Sequence, residues 1–171
     1  MKSLFLILVF LFCEIVFSQN GLRFSEKEFF TASISISPVA SIKEEGADFV
    51  GEIEYSGFVY TKAGFESFSA LYGGYWDVHG AIGMSLTSGL FEKTRFYSGI
   101  RLARVGRGHE GAWRPMFGLE GGVELNLTDN FFVGIRVTYD KRDDQEIFGL
   151  SREMKASGFF RFGYKWYYKN Y

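Results

Sequence analysis

Asp77, His79 and Ser85 fall on one face of the alternating stretch YWDVHGAIGMSL. A carboxylate, an imidazole and a hydroxyl are the groups that nucleophilic hydrolysis uses. That chemistry needs the imidazole within about 3 Å of the hydroxyl it activates, with a third group orienting the base. Period-two spacing keeps Asp77 beside His79 but leaves Ser85 farther along the strand. The second histidine, His109, lies in the glycine-rich GRGHEG next to Glu110, in a stretch that reads as a solvated loop. GRGHEG follows an alternating strand rather than opening a βα unit, so it is no phosphate cradle. Asp77 and His79 supply two metal ligands where a stable site needs three or four. The expectation is no catalytic residue, no metal and no cofactor, with His79 the candidate base if there is an enzyme.

Charge recurs on one face of strand after strand. DFVGEIEY contributes Glu52 and Glu54, and TRFYSGIRLARV contributes Arg101. MFGLEGGVELNL adds Glu120 and Glu124, NFFVGIRVTYD adds Arg136 and Asp140, and GFFRFGYKW adds Arg161 and Lys165. The opposite face of the same strands carries Ile34, Ile53, Val78, Ile82, Ile100, Leu119, Ile135, Phe160 and their neighbours. Alternation of this kind serves two opposite barrels. In a soluble exported barrel the apolar face lines a ligand cavity; in a membrane barrel it meets lipid and the charges are enclosed.

Two patterns favour the second. The uncharged residues of the polar face are mostly Gly, Ser, Ala and Thr, which suit a narrow lumen. Trp76, Phe96, Tyr139, Tyr164 and Trp166 sit near strand ends, where an aromatic girdle at the bilayer interface lies. Enclosed charges must pair, because an uncompensated buried ion costs several kcal/mol. The expected lumen network is therefore Glu52, Glu54, Asp77, His79, Arg101, Glu120, Glu124, Arg136, Asp140, Arg161 and Lys165. Within it Arg136 is expected to bridge Glu120 or Glu124, with Arg161 sharing them from the other side.

The elements that must hold these residues are strands throughout. No helical period of useful length appears after Asn20, and turn residues recur every 10 to 14 positions or so. About eight strands of roughly ten residues result, the length that crosses a bilayer when tilted. The breaks at Ser88 to Lys93 and Thr128 to Asn130 are short, whereas Arg104 to Arg114 and Lys141 to Arg152 are longer and polar. The boundary between the second and third strands is placed at Ser56-Gly57. With 171 residues, 21 glycines, 2 prolines and 19% aromatics, one domain is expected. A net charge of -1 gives no basic stripe for nucleic acid.

The first residues, MKSLFLILVFLFCEIVFSQN, read as a secretory signal: Lys2, an apolar core from Leu4 to Phe12, and small residues before Gln19. Residues 1-19 are thus expected to be cleaved, leaving 20-171 as the barrel domain. Cys13 is the one cysteine, so the mature chain would have neither disulfide nor thiol nucleophile.

FSQN at the end of the signal, LTDNFFVGIRVTYD and the terminal FFRFGYKWYY resemble small outer-membrane β-barrel proteins of OmpA or OmpX type, as found in Bacteroidetes. The resemblance spans the mature chain. It implies a closed antiparallel up-and-down transmembrane β-barrel, monomeric, surrounded by outer-membrane lipid and lipopolysaccharide and inserted by the barrel-assembly machinery. It also implies a structural or loop-mediated interaction role rather than catalysis. Trp113 and Phe148 are then the expected loop contacts, with an extracellular partner of unknown identity. The alternatives are the soluble ligand-binding barrel and, less favoured, a lipid A-modifying enzyme. Deacylases of that type carry their histidine near the C-terminus, where this chain has none.

Overall fold

The computed structural model describes residues 22-24, 28-38, 46-70, 74-88, 93-107, 113-142 and 154-168. The signal segment 1-19, His109 and the loop position Phe148 lie outside these residues. These residues form nine strands: β1 (Leu22–Phe24), β2 (Phe29–Ile36), β3 (Gly46–Ser56), β4 (Val59–Ala70), β5 (Tyr75–Ser88), β6 (Thr94–Gly106), β7 (Arg114–Asn126), β8 (Phe131–Arg142) and β9 (Met154–Tyr167). From β2 to β9 each strand pairs antiparallel with the next. β9 then returns to β2, from Phe29 opposite Tyr167 to Ile36 opposite Phe160. Eight strands therefore close an up-and-down antiparallel barrel with no free edge, the one way a sheet satisfies all its backbone groups in an apolar medium.

The connections at one end are tight. Gly57 and Phe58 link β3 to β4, where the boundary is expected from Ser56-Gly57. Residues 127-130 link β7 to β8, and the Thr128 hydroxyl there accepts hydrogen bonds from the backbone N–H of Asn130 and Phe131. At the other end β6 continues to Gly106 and β7 starts at Arg114. The segment expected from Arg104 to Arg114 thus shrinks to 107-113, because Arg104 and Val105 extend the ladder opposite Pro115 and Arg114. Lys141 and Arg142 likewise belong to β8.

β1 is the element that alternation did not reveal, being three residues long. It pairs with the end of β5, from Leu22 opposite Ser88 to Phe24 opposite Leu86. β4 reaches β5 only as far as Val59 opposite Met84, so the last residues of β5 would present an unpaired edge on that side. β1 covers it.

The strands alternate strictly, and the apolar side faces out. Ile34, Ile53 and Ile135 are 60%, 67% and 54% exposed, while Arg136, one residue from Ile135, is 0% exposed. Among the described residues, exposed charged side chains occur only near the rims: Glu28, Lys93 and Asp129 at the short-turn end, Arg104, Arg114 and Lys141 at the long-loop end. Along β7 the outward residues from Phe117 to Leu125 are uncharged. That is roughly 20 Å of apolar surface at ~3.3 Å per residue and a tilt of about 40°, close to the height of a lipid-facing band.

Glycines make room for the large interior rings. A Cβ on Gly99 would press on the Tyr60 hydroxyl and the Ile82 carbonyl oxygen and lie 2.9 Å from the Gly83 Cα. A Cβ on Gly158 meets nothing within 4 Å. Gly99→Val is expected to lower barrel stability by about 1–3 kcal/mol through overpacking, read as the urea midpoint in detergent micelles. Gly158→Val should leave that midpoint nearly unchanged; equal effects of the two would contradict this packing.

Candidate functional site: the charged lumen

The interior of the barrel is built from the inward residues of all eight long strands. Among the described residues, those buried and charged are eight acids (Asp48, Glu52, Glu54, Glu66, Asp77, Glu120, Glu124, Asp140), six bases (Lys62, Arg95, Arg101, Arg136, Arg161, Lys165) and His79. All eleven residues singled out from the sequence are in this set. Lys62, Glu66, Arg95 and Asp48 were not singled out. The ion pairs fall into three layers along the axis.

At the short-turn end Arg95, Arg161 and Lys165 surround Glu54 and Glu124. Arg95 donates to Glu54 at 2.5 Å, to Glu124 at 3.1 Å and to the Ser56 hydroxyl at 2.8 Å. Arg161 donates from Nε to Ser33 Oγ at 3.0 Å, from Nη2 to Glu54 at 3.0 Å and from Nη1 to Glu124. Lys165 meets Glu124 at 3.1 Å and Asn126 at 2.9 Å. Every charge in this layer has at least two partners.

The middle layer is looser. Arg136 lies 3.0 Å from Glu52 and 3.3 Å from Glu120, and Lys62 lies 2.9 Å from Glu120. Neither cation makes a well-aligned hydrogen bond with these carboxylates. The Tyr60 hydroxyl donates to Glu120 at 2.8 Å. Arg136 thus bridges Glu120, but its second carboxylate is Glu52 across the lumen. Glu124 belongs to the layer below, where Arg161 and Arg95 hold it.

At the long-loop end Arg101 spreads its guanidinium over three acids: Asp140 at 2.9 Å, Glu66 at 2.9 Å and Asp77 at 3.0 Å. His79 Nδ1 lies 2.7 Å from Asp77, and Nε2 lies 3.2 Å from Glu52 in the layer below. His79 therefore ties two layers together.

Aromatic rings pack between the charges. Tyr60 and Tyr97 meet edge-to-face at 5.6 Å, with the Lys62 ammonium 4.6 Å from the Tyr97 ring centre. Buried Phe29 and Phe132 line the short-turn end, and Phe68, Val105 and Met116 the long-loop end. Cation–π contact gives charges facing these rings a partner that water would otherwise supply.

The geometry bears on each kind of chemistry. A base must have a ring nitrogen to offer, and both nitrogens of His79 are against carboxylates. Ser85 is far from it, donating to the Gly57 carbonyl at 2.8 Å in the β3–β4 turn. Glu66, Asp77 and His79 offer ligand atoms within 4.8 Å of one another. The place a cation would take is filled by Arg101, whose Nη2 is 2.9 to 3.2 Å from atoms of all three. A guanidinium is the counter-ion of that cluster. What the arrangement does is hold opposite walls of the barrel together.

Of the five aromatics assigned to a girdle, Trp76 and Tyr139 lie toward the long-loop end and Phe96, Tyr164 and Trp166 toward the short-turn end, all on the outward face. Tyr164 packs on Trp166 at 4.8 Å and on Phe131 at 5.0 Å. Trp113, expected as a loop contact, stands edge-on to Trp76 at 4.0 Å and is 45% exposed.

The sequence matches no protein-family model and no curated protein. Among solved structures the chain is similar to the Yersinia pestis outer membrane protein Ail in a phospholipid bilayer nanodisc. The TM-score is 0.53 at 11% identity, covering 83% of this chain and 100% of that one. It is also similar to a de novo designed transmembrane β-barrel, with a TM-score of 0.50 at 11% identity, covering 85% of this chain and 99% of that one. At such identities the likeness is one of fold: a closed eight-stranded antiparallel barrel.

The layers predict an order of effects. Arg161→Met removes three aligned donors and is expected to cost ~3–5 kcal/mol, as breaking a buried ion pair does. Arg136→Met should cost measurably less, because none of the three guanidinium nitrogens of Arg136 makes an aligned hydrogen bond to lose. Equilibrium unfolding of both variants in micelles checks the order, and a larger loss for Arg136→Met would refute it.

Proposed function

We propose that this chain is an integral outer-membrane β-barrel whose lumen is a salt-bridged plug, with a structural or loop-mediated interaction role rather than a catalytic one. The observation that carries the reading is the inversion of the usual burial pattern. Isoleucines, valines and phenylalanines cover the outside while, among the described residues, fourteen charged side chains, eight acids and six bases, are buried. In water that arrangement forfeits the hydrophobic driving force for folding. In a bilayer it is the stable one, since the strands bond only to each other and lipid solvates the rest. The soluble alternative needs the apolar face inward, opposite to the burial observed.

An eight-stranded lumen is just wide enough for side chains to fill. Here they fill it with ion pairs flanked at both ends by buried apolar side chains. The plug reading assigns no solute passage and leaves recognition to the loops at the long-loop end, which carry it in such scaffolds. In this reading the short turns face the periplasm and the long loops face outward. Lipid and lipopolysaccharide surround the band, the barrel-assembly machinery inserts a monomer, and residues 1-19 are the cleaved signal. Membership of the OmpA or OmpX type is part of the proposal, supported by the likeness in fold.

Fractionation tests the core of it: the protein should stay with membranes through carbonate and high salt and be released by detergent alone. Release by carbonate would overturn the proposal. The purified barrel should be electrically silent in planar bilayers, and a steady open conductance would remove the plug. For the enzyme alternative, His79→Ala in cells should leave lipid A composition unaltered; a changed acyl pattern would restore catalysis to consideration.

A further inference from the structure

We propose that Arg104 and Lys141, facing outward at the long-loop end of β6 and β8, bind the phosphate of an anionic lipid headgroup in the leaflet on that side. The inference rests on the membrane reading above and names what one patch of that membrane-facing surface selects. Both residues are exposed, and neither forms an ion pair among the described residues. The exposed acids among the described residues, Glu28 and Asp129, are at the opposite end. Two cations without an ion-pair partner among the described residues thus sit on a face with no described acid.

The sheet register brings them together. Arg104 pairs with Pro115 on β7, and Lys141 pairs with Phe117 two residues along the same strand. With neighbouring strands ~4.8 Å apart and ~3.3 Å per residue, their Cα atoms are roughly 12 Å from one another. Both side chains are long enough to converge on one group across Phe117. Their depth fits a headgroup. Toward the barrel middle on this face come Leu102 and Phe117, 60% and 51% exposed, which would meet acyl chains.

A side wall completes the patch. Trp76 faces outward opposite Gly106, two residues beyond Arg104, and packs so closely that a Cβ on Gly106 would lie 2.9 Å from the indole. Trp113 stands against it. Indoles at this level bind the interfacial region of a bilayer. The guanidinium supplies a planar fork for a phosphate, and the ammonium adds a point charge. An acidic protein partner would instead need cations set apart from lipid, whereas these two border the apolar band at Leu102 and Phe117.

The two tryptophans provide the readout. The full-length barrel with Trp166→Phe, reconstituted in vesicles, reports from Trp76 and Trp113 alone. Their fluorescence is quenched by acyl-brominated phosphatidylcholine or acyl-brominated phosphatidic acid at equal mole fraction. Phosphatidic acid should be preferred, and the preference should fall about five-fold on Arg104→Gln or on Lys141→Gln, as expected for one interfacial cation. The complementary Trp76→Phe/Trp113→Phe protein, reporting from Trp166 at the other rim, should show no preference. Equal quenching by the two lipids, or a preference untouched by either substitution, overturns the site while leaving the membrane reading standing. Loss of the preference on adding soluble glycerol phosphate would also overturn it, since the ligand would then be a free phosphate. Absence of quenching by either lipid would overturn both the site and the membrane reading.

Discussion

An ion enclosed in a narrow barrel has no water to solvate it, and that constraint governs this molecule. Each charge taken inside costs several kcal/mol unless the lumen itself replaces its hydration. Among the described residues eight acids, six bases and a histidine share the space, so the inward faces of the strands must deliver partners at set heights. The glycines and serines of the same face follow from it, since long side chains reach across the lumen only where their neighbours are small. The apolar exterior is the other half of the same requirement: with the polar groups satisfied inside, the outer wall is left to isoleucine, valine and phenylalanine.

The three layers meet the constraint unequally. Around Glu54 and Glu124 the donors are aligned and multiple, including serine hydroxyls that finish what the carboxylates leave. Around Glu120 and Glu52 the charges are close but their geometry is poor, and a tyrosine hydroxyl and aromatic faces make up part of the difference. A buried ion network of this kind is weak evidence of stability against an apolar filling of equal shape. Its firmer effect is on register. A one-residue slip of any strand would turn its charges toward lipid and its isoleucines inward, so the alternative pairings are penalised heavily.

Much of the barrel is legible from alternation alone. β7 and β8 lie between clear breaks and β9 alternates over its whole length, so the side chains on the face of Glu120, Arg136 and Arg161 can be assigned from parity. β4 was harder. With its start uncertain, Lys62 and Glu66 had no assigned face, although their spacing of four with Gly64 between is the parity of a lumen-facing row. Arg95 shares the parity of Tyr97, Gly99 and Arg101, so its side of the strand is legible from the same alternation, although it is absent from the expected lumen set. β1 has too few residues to show a period, and its reason for existing is an edge on β5 created by the length of β4. The pairing of Arg136 with Glu52 was not readable at all, because it depends on which walls face each other across the lumen. Adjacent-strand reasoning reaches Glu120 and stops there.

Arg161 has a consequence for how the wall is completed. It stands on β9, and its three donors reach Ser33 on β2, Glu54 on β3 and Glu124 on β7. Two of those strands lie beyond the β2–β9 seam, which joins the beginning of the chain to its end. No open sheet can satisfy that guanidinium, however many hairpins have formed, since Ser33 and Glu54 are 128 and 107 residues away along the chain. The residue therefore acts as a latch whose reward arrives only with the final pairing. A partly zipped sheet leaves that arginine with Glu124 alone, two of its three donors still unmet on the concave side, and that disfavours its being left unfinished in lipid.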